Sequence, residues 1–426
     1  MGAKWERGVD PEVVLQRYKS QCSLNEDNAL QFSGLEFIET EALLHEQIDY
    51  GAEYGFSVSK GFREKALLEW FRKGVLTPGS FMKELNKQIS IYNQTKVIGY
   101  SFVSTISVAG GVPSRFKLPG VDVRIYKEVP KKYSSRSGHY ERWESLHPGM
   151  KAVPDGHSIV VAYVKEKHKD EAVRKAIDGI DFVRGLMGMT LNKGMAYTLG
   201  SHIKRHEPIN KVLLGGLHTL HFASGKDVTK EFWYEPGYSE VTPFFVEGLR
   251  KGILAKNMGI VISGVLNASE NDSKLLYSSI LNYTRALDEA DPDVALIRLW
   301  AAFEPLIGKN CSDVSGAIVR RCSFIFLEGK YVSELLECIR RYRNGSVHRG
   351  VTNESAQIYC YQLQNILRGV LYFYINSLGG LTSIDEVNEF LDLPADLEML
   401  STEIEKARRR VWLARKALRF RTPEKT

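Results

Sequence analysis

The sequence has few of the features that mark secreted, membrane-spanning or disulfide-stabilised proteins. It has five cysteines in 426 residues, an odd number with no Cys-x-x-Cys pair, which argues against a disulfide framework. The first residues carry charges in place of the apolar core of a signal peptide, and no apolar run approaches the roughly 18 residues of a membrane span. We therefore expect a soluble cytoplasmic protein without a membrane partner, whose thiols stay reduced.

Common ligand-binding motifs are also missing. The double glycines are followed by no Gly-Lys-Ser/Thr and form no Gly-x-Gly-x-x-Gly pattern, so a nucleotide-binding loop is not indicated. The pairs His202/His206 and His218/His221 lack the neighbouring acid of a zinc-hydrolase helix. We expect no metal and no cofactor.

The remaining composition is ordinary for a globular protein. It is 43% hydrophobic and 25% charged, and the chain is long enough for two domains with cores of their own. The net charge of +6 permits a nucleic-acid partner without requiring one.

Hydrophobic periodicity predicts an α+β protein in which a mixed α/β domain precedes an all-α bundle. Two helices are predicted near 64–72 and 78–93, strands at 96–108, 121–129 and 158–164, and a helix at 169–189. Strand-like runs follow near 211–222 and 231–234, and a closing helix is predicted at 244–256. A polar segment near 266–273 marks a boundary, so we expect domains at 1–265, 266–380 and 381–426. The role of the first is open, with trigger sensing or substrate selection as the two possibilities.

One segment of the first domain combines cations with aromatic rings. Lys131, Lys132 and Arg136 lie close to Tyr140 in the sequence, a composition that suits a phosphate backbone and unpaired bases. The alternative is a solvated basic loop that binds nothing.

The second half contains a series of helical patterns. These are predicted at 275–289, 292–307, 312–327, 332–350 and 355–378, all with apolar residues at three-four spacing. Near the end of the fourth come Arg343, Asn344 and His348. A guanidinium can hold a phosphate, and an imidazole can move a proton near neutral pH. Together they suit RNA cleavage without a metal.

The spacing Arg-x4-His alone is weak evidence, because the chain contains it twice. The other copy, Arg142 to His147, runs into Pro148 and Gly149 in a region that we predict to be loop. The copy ending at His348 is supported by its place on a helix within a bundle.

With Leu-Trp-Ala-Ala-Phe-Glu-Pro-Leu at 299–306 and Tyr-Arg-Asn-x3-His at 342–348, residues 268–380 resemble the HEPN superfamily, and within it the Apea-like HEPN proteins of bacterial defence systems. The resemblance implies a metal-independent endoribonuclease that acts as a homodimer through this domain and leaves 2′,3′-cyclic phosphate and 5′-OH ends. By the same resemblance, Arg343 holds the scissile phosphate, His348 is general base or acid, and Asn344 orients one of them. Glu304 would hold an arginine in place as a supporting residue.

The biological setting that the resemblance implies is antiviral defence through cleavage of tRNA or mRNA, started by a phage-derived trigger. The alternative is a non-catalytic RNA-binding or regulatory protein in which the motif is only a dimer contact.

Helix geometry constrains the proposed dyad. Five residues on a helix turn through about 140° beyond a full turn, so Arg343 and His348 do not share a face. Either the Arg343 side chain bends around the helix toward His348, or His348 acts together with the arginine of a second chain.

The C-terminal segment has a heptad seam with a basic opposite face. Leu397, Leu400, Ile404, Ala407, Val411, Ala414 and Leu418 alternate steps of three and four. Arg408, Arg409 and Arg415 are its candidate RNA contacts. The apolar seam could pair with the same helix of a second chain or pack on the chain's own bundle, and we expect packing on the bundle over a true coiled coil. The basic face could bind RNA or only be solvated.

Overall fold

The first ninety residues form a unit with a core of its own. The structure, a computed structural model, describes residues 2–52, 54–192, 207–349, 355–378, 380–394 and 396–421, except for the side chains of 346–349. The elements of this unit are β1 (Lys4–Trp5), α1 (Pro11–Gln21), β2 (Cys22–Leu24), β3 (Leu30–Phe32), α2 (Phe37–Glu46), β4 (Ile48–Asp49), α3 (Phe56–Lys73) and α4 (Pro78–Gln94). Gly74, with a φ of 68°, ends α3, and a capping box between Thr77 and Ser80 begins α4. Trp70 and Phe81 lie in the core between them.

A mixed segment with a six-stranded sheet follows. Its elements are β5 (Ile98–Ile106), β6 (Val108–Gly110), β7 (Arg115–Leu118), β8 (Val121–Tyr126), α5 (Tyr140–Leu146), β9 (Ser158–Glu166), α6 (Lys169–Leu191), β10 (Leu217–Phe222), β11 (Trp233–Tyr234) and β12 (Phe244–Val246). The sheet is antiparallel throughout, in the order β11-β10-β5-β9-β8-β7.

The two faces of this sheet are covered by different elements. In β8 the side chains of Val121, Val123 and Ile125 are buried while their neighbours are half-exposed, the alternation of a strand with one covered face. Helix α6 packs on β8 and β9 over that face. A 3₁₀ helix at Lys131–His139 covers the other face, with Tyr133 packed against Val103 and Val161.

The C-terminal half is helical. It consists of α7 (Leu249–Asn267), α8 (Glu270–Asp288), α9 (Pro292–Ala301), α10 (Glu304–Ile307), α11 (Val314–Ile325), α12 (Gly329–Arg349), α13 (Ser355–Ser377), α14 (Ile384–Leu391) and α15 (Leu397–Arg421). The side chains of Ser269, Asp291 and Asp313 cap the N-termini of α8, α9 and α11. Trp300 and Phe303 are fully buried at the centre of the bundle.

The sheet segment and the bundle share one hydrophobic core. Phe182 of α6 stacks on Tyr277 of α8, with ring centroids 4.5 Å apart, and Arg184 forms an ion pair with Asp288. The expected boundary at 265 falls in the last turn of α7. The α+β architecture is confirmed, and the assignment of separate roles to the two halves stays a prediction.

Three predicted elements are wrong. Residues 244–246 form the short strand β12, parallel to β6, where a helix was expected. Helix α7 begins only after Gly248, whose positive φ of 54° is not helical. Residues 140–146 form helix α5 in place of a loop. Helix α15 does not pack on the bundle, since none of its residues is buried. Among the described helices, none combines the length and the apolar character needed to cross a membrane.

Candidate active site

The C-terminal end of α12 is held between two other helices of the bundle. Val332, Leu336 and Ile339 anchor the helix in the core. One turn later the Tyr342 hydroxyl donates a hydrogen bond to the Asp293 carboxylate at 2.8 Å, and the Tyr342 ring lies edge-on to Tyr359 at 5.4 Å. The motif therefore lies on a regular helix fixed to α9 and α13.

Arg343 differs from the other arginines in this turn. Arg340 pairs with Glu337 at 2.8 Å, and the Nε of Arg341 donates to the Glu337 carbonyl oxygen. The Arg343 guanidinium instead lies over the Trp300 ring, 6.0 Å from its centroid, and its buried Nε has no hydrogen-bond partner. In the part of the chain that the structure describes, Arg343 has no carboxylate partner, so its two terminal nitrogens can donate to a phosphate.

Asn344 and His348 follow Arg343 on the same helix. The Asn344 side chain is exposed. The helix backbone continues without a break through His348 to Arg349, although the His348 side chain lies outside the described residues. An unbroken helix keeps the Cα atoms of residues 343 and 348 about 140° apart around the axis, as the spacing predicts.

Glu304 is the predicted supporting residue of the site. It begins α10, one turn after Trp300, and is half-buried. No hydrogen bond or ion pair joins its carboxylate to any arginine among the described residues. Its predicted role of holding an arginine is therefore not seen there.

The candidate RNA-binding segment of the N-terminal half is only partly at the surface. Lys131 and Lys132 are exposed, Tyr140 is half-buried, and the Lys132 ammonium lies 5.2 Å from the Tyr133 ring centroid. The segment is a 3₁₀ helix and not a loop.

The structure contradicts the prediction that Arg136 contacts RNA, because this residue is fully buried and cannot reach RNA in this fold. Its Nη1 donates to the Val103 carbonyl oxygen and the Thr219 hydroxyl, and its Nη2 donates to the Leu217 carbonyl oxygen, each at 3.1 Å. Desolvation by burial lowers the pKa of this guanidinium. Arg136 thus ties the 3₁₀ helix to β5 and β10.

Two buried histidines adjoin Arg136, and their partners could not be predicted from the sequence. The Nε2 of His221 lies 2.9 Å from the Thr219 hydroxyl, and its Nδ1 lies 2.9 Å from the Asp227 carboxylate. The Ser135 hydroxyl approaches the same Nδ1 at 3.5 Å. In a nucleophilic triad the serine and the acid bind opposite ring nitrogens. Ser135 therefore lacks that geometry, and the hydroxyl opposite Asp227 belongs to Thr219, which is buried and also accepts a hydrogen bond from Arg136. The cluster is part of the interior.

His218 is the second of these histidines. Its Nδ1 lies 2.8 Å from the Ser104 hydroxyl, and burial lowers its pKa to about 3. It is therefore neutral at physiological pH and unable to hold an anion by charge. His202 and His206 lie outside the described residues. Elsewhere in the described chain no three His, Cys, Asp or Glu residues are placed to hold a metal ion.

A cleft between α6, α8 and the loop after β11 is a further candidate that the sequence did not indicate. Its volume is about 390 Å³, and it is rich in charged residues. Its arginines are all engaged: Arg184 with Asp181 and Asp288, Arg285 with Asp178, and Arg298 with Glu289. Burial raises the pKa of Glu235 at its edge. Because its cations are already paired, the cleft is a less suitable binding site for a phosphate than the Arg343 guanidinium.

The three candidate RNA contacts on α15 are at the surface. Arg409 lies over the Trp412 ring at 4.6 Å, Arg408 pairs with Glu405 at 2.9 Å, and Arg415 is exposed. They lie on a helix separate from the Arg343 region, and no described contact joins the two.

Comparison with known proteins gives no match: no family model, no curated protein and no solved structure is detectably similar to this chain. The resemblance to HEPN proteins stays a prediction from the residues at 299–306 and 342–348.

Proposed function

We propose that this chain is a metal-independent endoribonuclease whose site lies at the C-terminal end of α12. The observation that carries the proposal is the state of Arg343. Its guanidinium is partly withdrawn from solvent against Trp300, has no carboxylate partner among the described residues, and lies on the helix that continues to His348. A partly desolvated guanidinium with free donors is suited to a phosphodiester.

The chemistry is an internal transesterification. The imidazole of His348 takes the proton of the ribose 2′-OH, whose oxygen attacks the adjacent phosphorus. Arg343 stabilises the extra negative charge on the crowded phosphorane. The bond from phosphorus to the 5′-oxygen then breaks, and that oxygen takes a proton from a second imidazole. The products are a 2′,3′-cyclic phosphate and a 5′-OH end.

The mechanism requires a second imidazole, and Arg343 and His348 diverge around the helix axis. Both considerations favour a homodimer. Two copies of the motif facing each other would supply an arginine from one chain to the histidine of the other. Asn344, exposed beside the motif, would orient the substrate or the imidazole. The resemblance to defence proteins suggests tRNA or mRNA as substrate, a phage-derived trigger, and a sensing or substrate-selecting role for residues 1–265.

A second candidate is a non-catalytic RNA-binding protein. The observation in its favour is the exposure of Lys131, Lys132, Arg408 and Arg415 on two separate helical surfaces, with Arg409 stacked over Trp412. Cations next to aromatic rings bind single-stranded RNA without any chemistry.

The experiment that separates the candidates uses purified full-length protein and total RNA in EDTA, taken with and without lysate from phage-infected cells. New RNA ends are then sequenced by a method selective for 2′,3′-cyclic phosphates. We expect such ends with the wild type and none with His348→Ala. Arg343→Ala should also reduce these ends, and Arg341→Ala is its matched control, since it removes a neighbouring guanidinium that is already engaged. A wild type that binds RNA and yields no cyclic ends under either condition supports the second candidate.

A further inference from the structure

Helix α15 exposes an apolar seam that nothing in the described chain covers. The seam residues Leu397, Ile404 and Val411 are 79%, 45% and 51% exposed, and no residue of the helix is buried. Such a seam in water is unfavourable, and repeated three-four spacing is the pattern by which one helix packs on another.

The charges of α15 are divided along its length. Residues 396–405 contain four acids and no base, whereas residues 406–421 contain eight bases and no acid. Two such helices side by side in the same direction would place basic half against basic half. In opposite directions, the acidic half of each meets the basic half of the other.

The sizes of the seam residues also favour an antiparallel arrangement. In heptad terms Leu397, Ile404, Val411 and Leu418 occupy a, while Leu400, Ala407 and Ala414 occupy d. A parallel in-register pair stacks like on like, so two layers would contain only alanine methyl groups. An antiparallel pair sets a against d, and each alanine then meets a larger residue.

The flanking charges select one antiparallel register. With Ile404 against the second copy's Ala407, Glu403 faces the second copy's Arg410, and this favourable pair occurs twice. Sliding the helices by one heptad instead sets Arg408 against Arg408 and Arg410 against Arg410. The first register also matches Leu397 with Ala414 and Leu400 with Val411.

We propose that α15 pairs in this antiparallel register with α15 of a second copy of the chain. Residues 397–414 of the two helices overlap over about 27 Å. Trp412 lies outside the seam, and Arg409 and Lys416 lie 4.6 and 5.6 Å from its ring centroid. The overlap is short for a coiled coil, so the association is reversible and depends on concentration. The proposal does not depend on ribonuclease activity.

The first test measures the self-association constant of the full-length protein by sedimentation. Ile404→Asp places a charge in the seam, and we expect it to weaken association at least tenfold. Thr402→Asp is the matched control, because it introduces the same side chain two residues away on the outer face and should have less than a twofold effect. Both positions are exposed, so neither variant should change the unfolding midpoint of the protein.

The second test fixes the direction. Arg410→Glu alone weakens an antiparallel pair about fivefold, because it then opposes Glu403. In a parallel pair it would strengthen association, because Arg410 would face Arg415. Combining Glu403→Arg with Arg410→Glu restores the antiparallel pair. In a parallel pair the restoring combination is Glu403→Arg with Arg408→Glu.

Three results would overturn the proposal. The first is an equal association constant for Ile404→Asp and Thr402→Asp. The second is rescue by the parallel combination and not by the antiparallel one. The third is a protein that is monomeric at all concentrations. In that case, protection of α15 from hydrogen exchange in the protein alone would indicate packing on its own bundle, and protection only after addition of a single-stranded oligonucleotide would indicate nucleic-acid binding.

Discussion

The chain contains the spacing Arg-x4-His twice, and the two copies differ in what surrounds them. Helix α5 ends at Leu146, so His147 lies at its C-terminus, where its ring stacks on Trp143 at 3.8 Å. Its Nδ1 lies 3.1 Å from the Trp143 carbonyl oxygen. The α12 copy lies on an unbroken helix, and the indole beside Arg343 comes from another helix.

The same contrast separates the two halves of the molecule. The sheet segment uses Arg136, His218 and His221 in hydrogen bonds within its interior. The end of α12 leaves Arg343 without a carboxylate partner in the described chain. The spacing therefore carries little information by itself, and the partners of each side chain decide between a structural and a chemical role.

The largest expected effect comes from exchanging the two histidines for alanine. His348→Ala should reduce the rate of RNA cleavage in EDTA about 10³-fold, because a general base or acid is lost. His147→Ala should leave the rate within about twofold. The rates are compared by gel with the same end-labelled RNA. Equal losses in both variants would erase the difference between the copies.

The next effect comes from the two arginines. Arg343→Ala should slow cleavage about 10²-fold, the usual result of removing one group that stabilises a transition-state charge. Arg142→Ala, whose guanidinium lies 5.5 Å from the Phe232 ring, should leave cleavage unchanged. Binding of a non-cleavable 2′-deoxy oligonucleotide is measured in parallel to separate affinity from rate. An active Arg343→Ala protein would argue that this guanidinium is structural.

A buried cation should matter for stability and not for chemistry. Arg136→Leu leaves two strand carbonyls and the Thr219 hydroxyl without their donor, so the free energy of unfolding should fall by about 3 kcal/mol. Lys131→Met, at an exposed position five residues earlier, should change it by less than about 0.5 kcal/mol. Urea unfolding followed by circular dichroism measures both. Similar values for the two variants would mean that the hydrogen bonds of Arg136 contribute little.

The smallest effect is a pH dependence carried by His218. Its folded pKa is lowered to about 3, below the unfolded value of 6.5, so its contribution to stability is fully present above pH 6.5. As the pH falls below 6.5 the unfolded chain binds a proton that the folded protein refuses, and about 2 kcal/mol is lost by pH 5. His218→Gln should remove that part of the loss. An unchanged difference in unfolding free energy between pH 7 and pH 5 would contradict this.

Sequence periodicity predicted most of the helices, for physical reasons that the structure makes plain. Helix α6 is buried against β8 and β9 on one side and against α8 on another, and α4 begins at the Pro78 that the sequence indicated. The three-residue strand β12 was missed because it is too short to show alternation and is specified by its parallel partner β6.

Residues for a candidate site could be proposed from the sequence, but their surroundings could not. Arg343, Asn344 and His348 could be chosen from spacing and resemblance, whereas the contact between Arg343 and Trp300 joins residues far apart in the sequence. The burial of Arg136 could not be foreseen, since its acceptors include strand carbonyls at Val103 and Leu217. The seam of α15 was evident, but its exposure followed only from the fold.

We propose that Arg343, whose guanidinium has no carboxylate partner in the described chain, and the imidazole of His348 act on a ribose phosphodiester. The most direct measurement incubates wild-type protein in EDTA with an RNA that it cleaves and with the same RNA carrying a single 2′-deoxy residue at the cleavage position. We predict cleavage of the first, with a 2′,3′-cyclic phosphate, and none at the substituted position of the second. Equal cleavage of both, or 5′-phosphate products, would contradict the account.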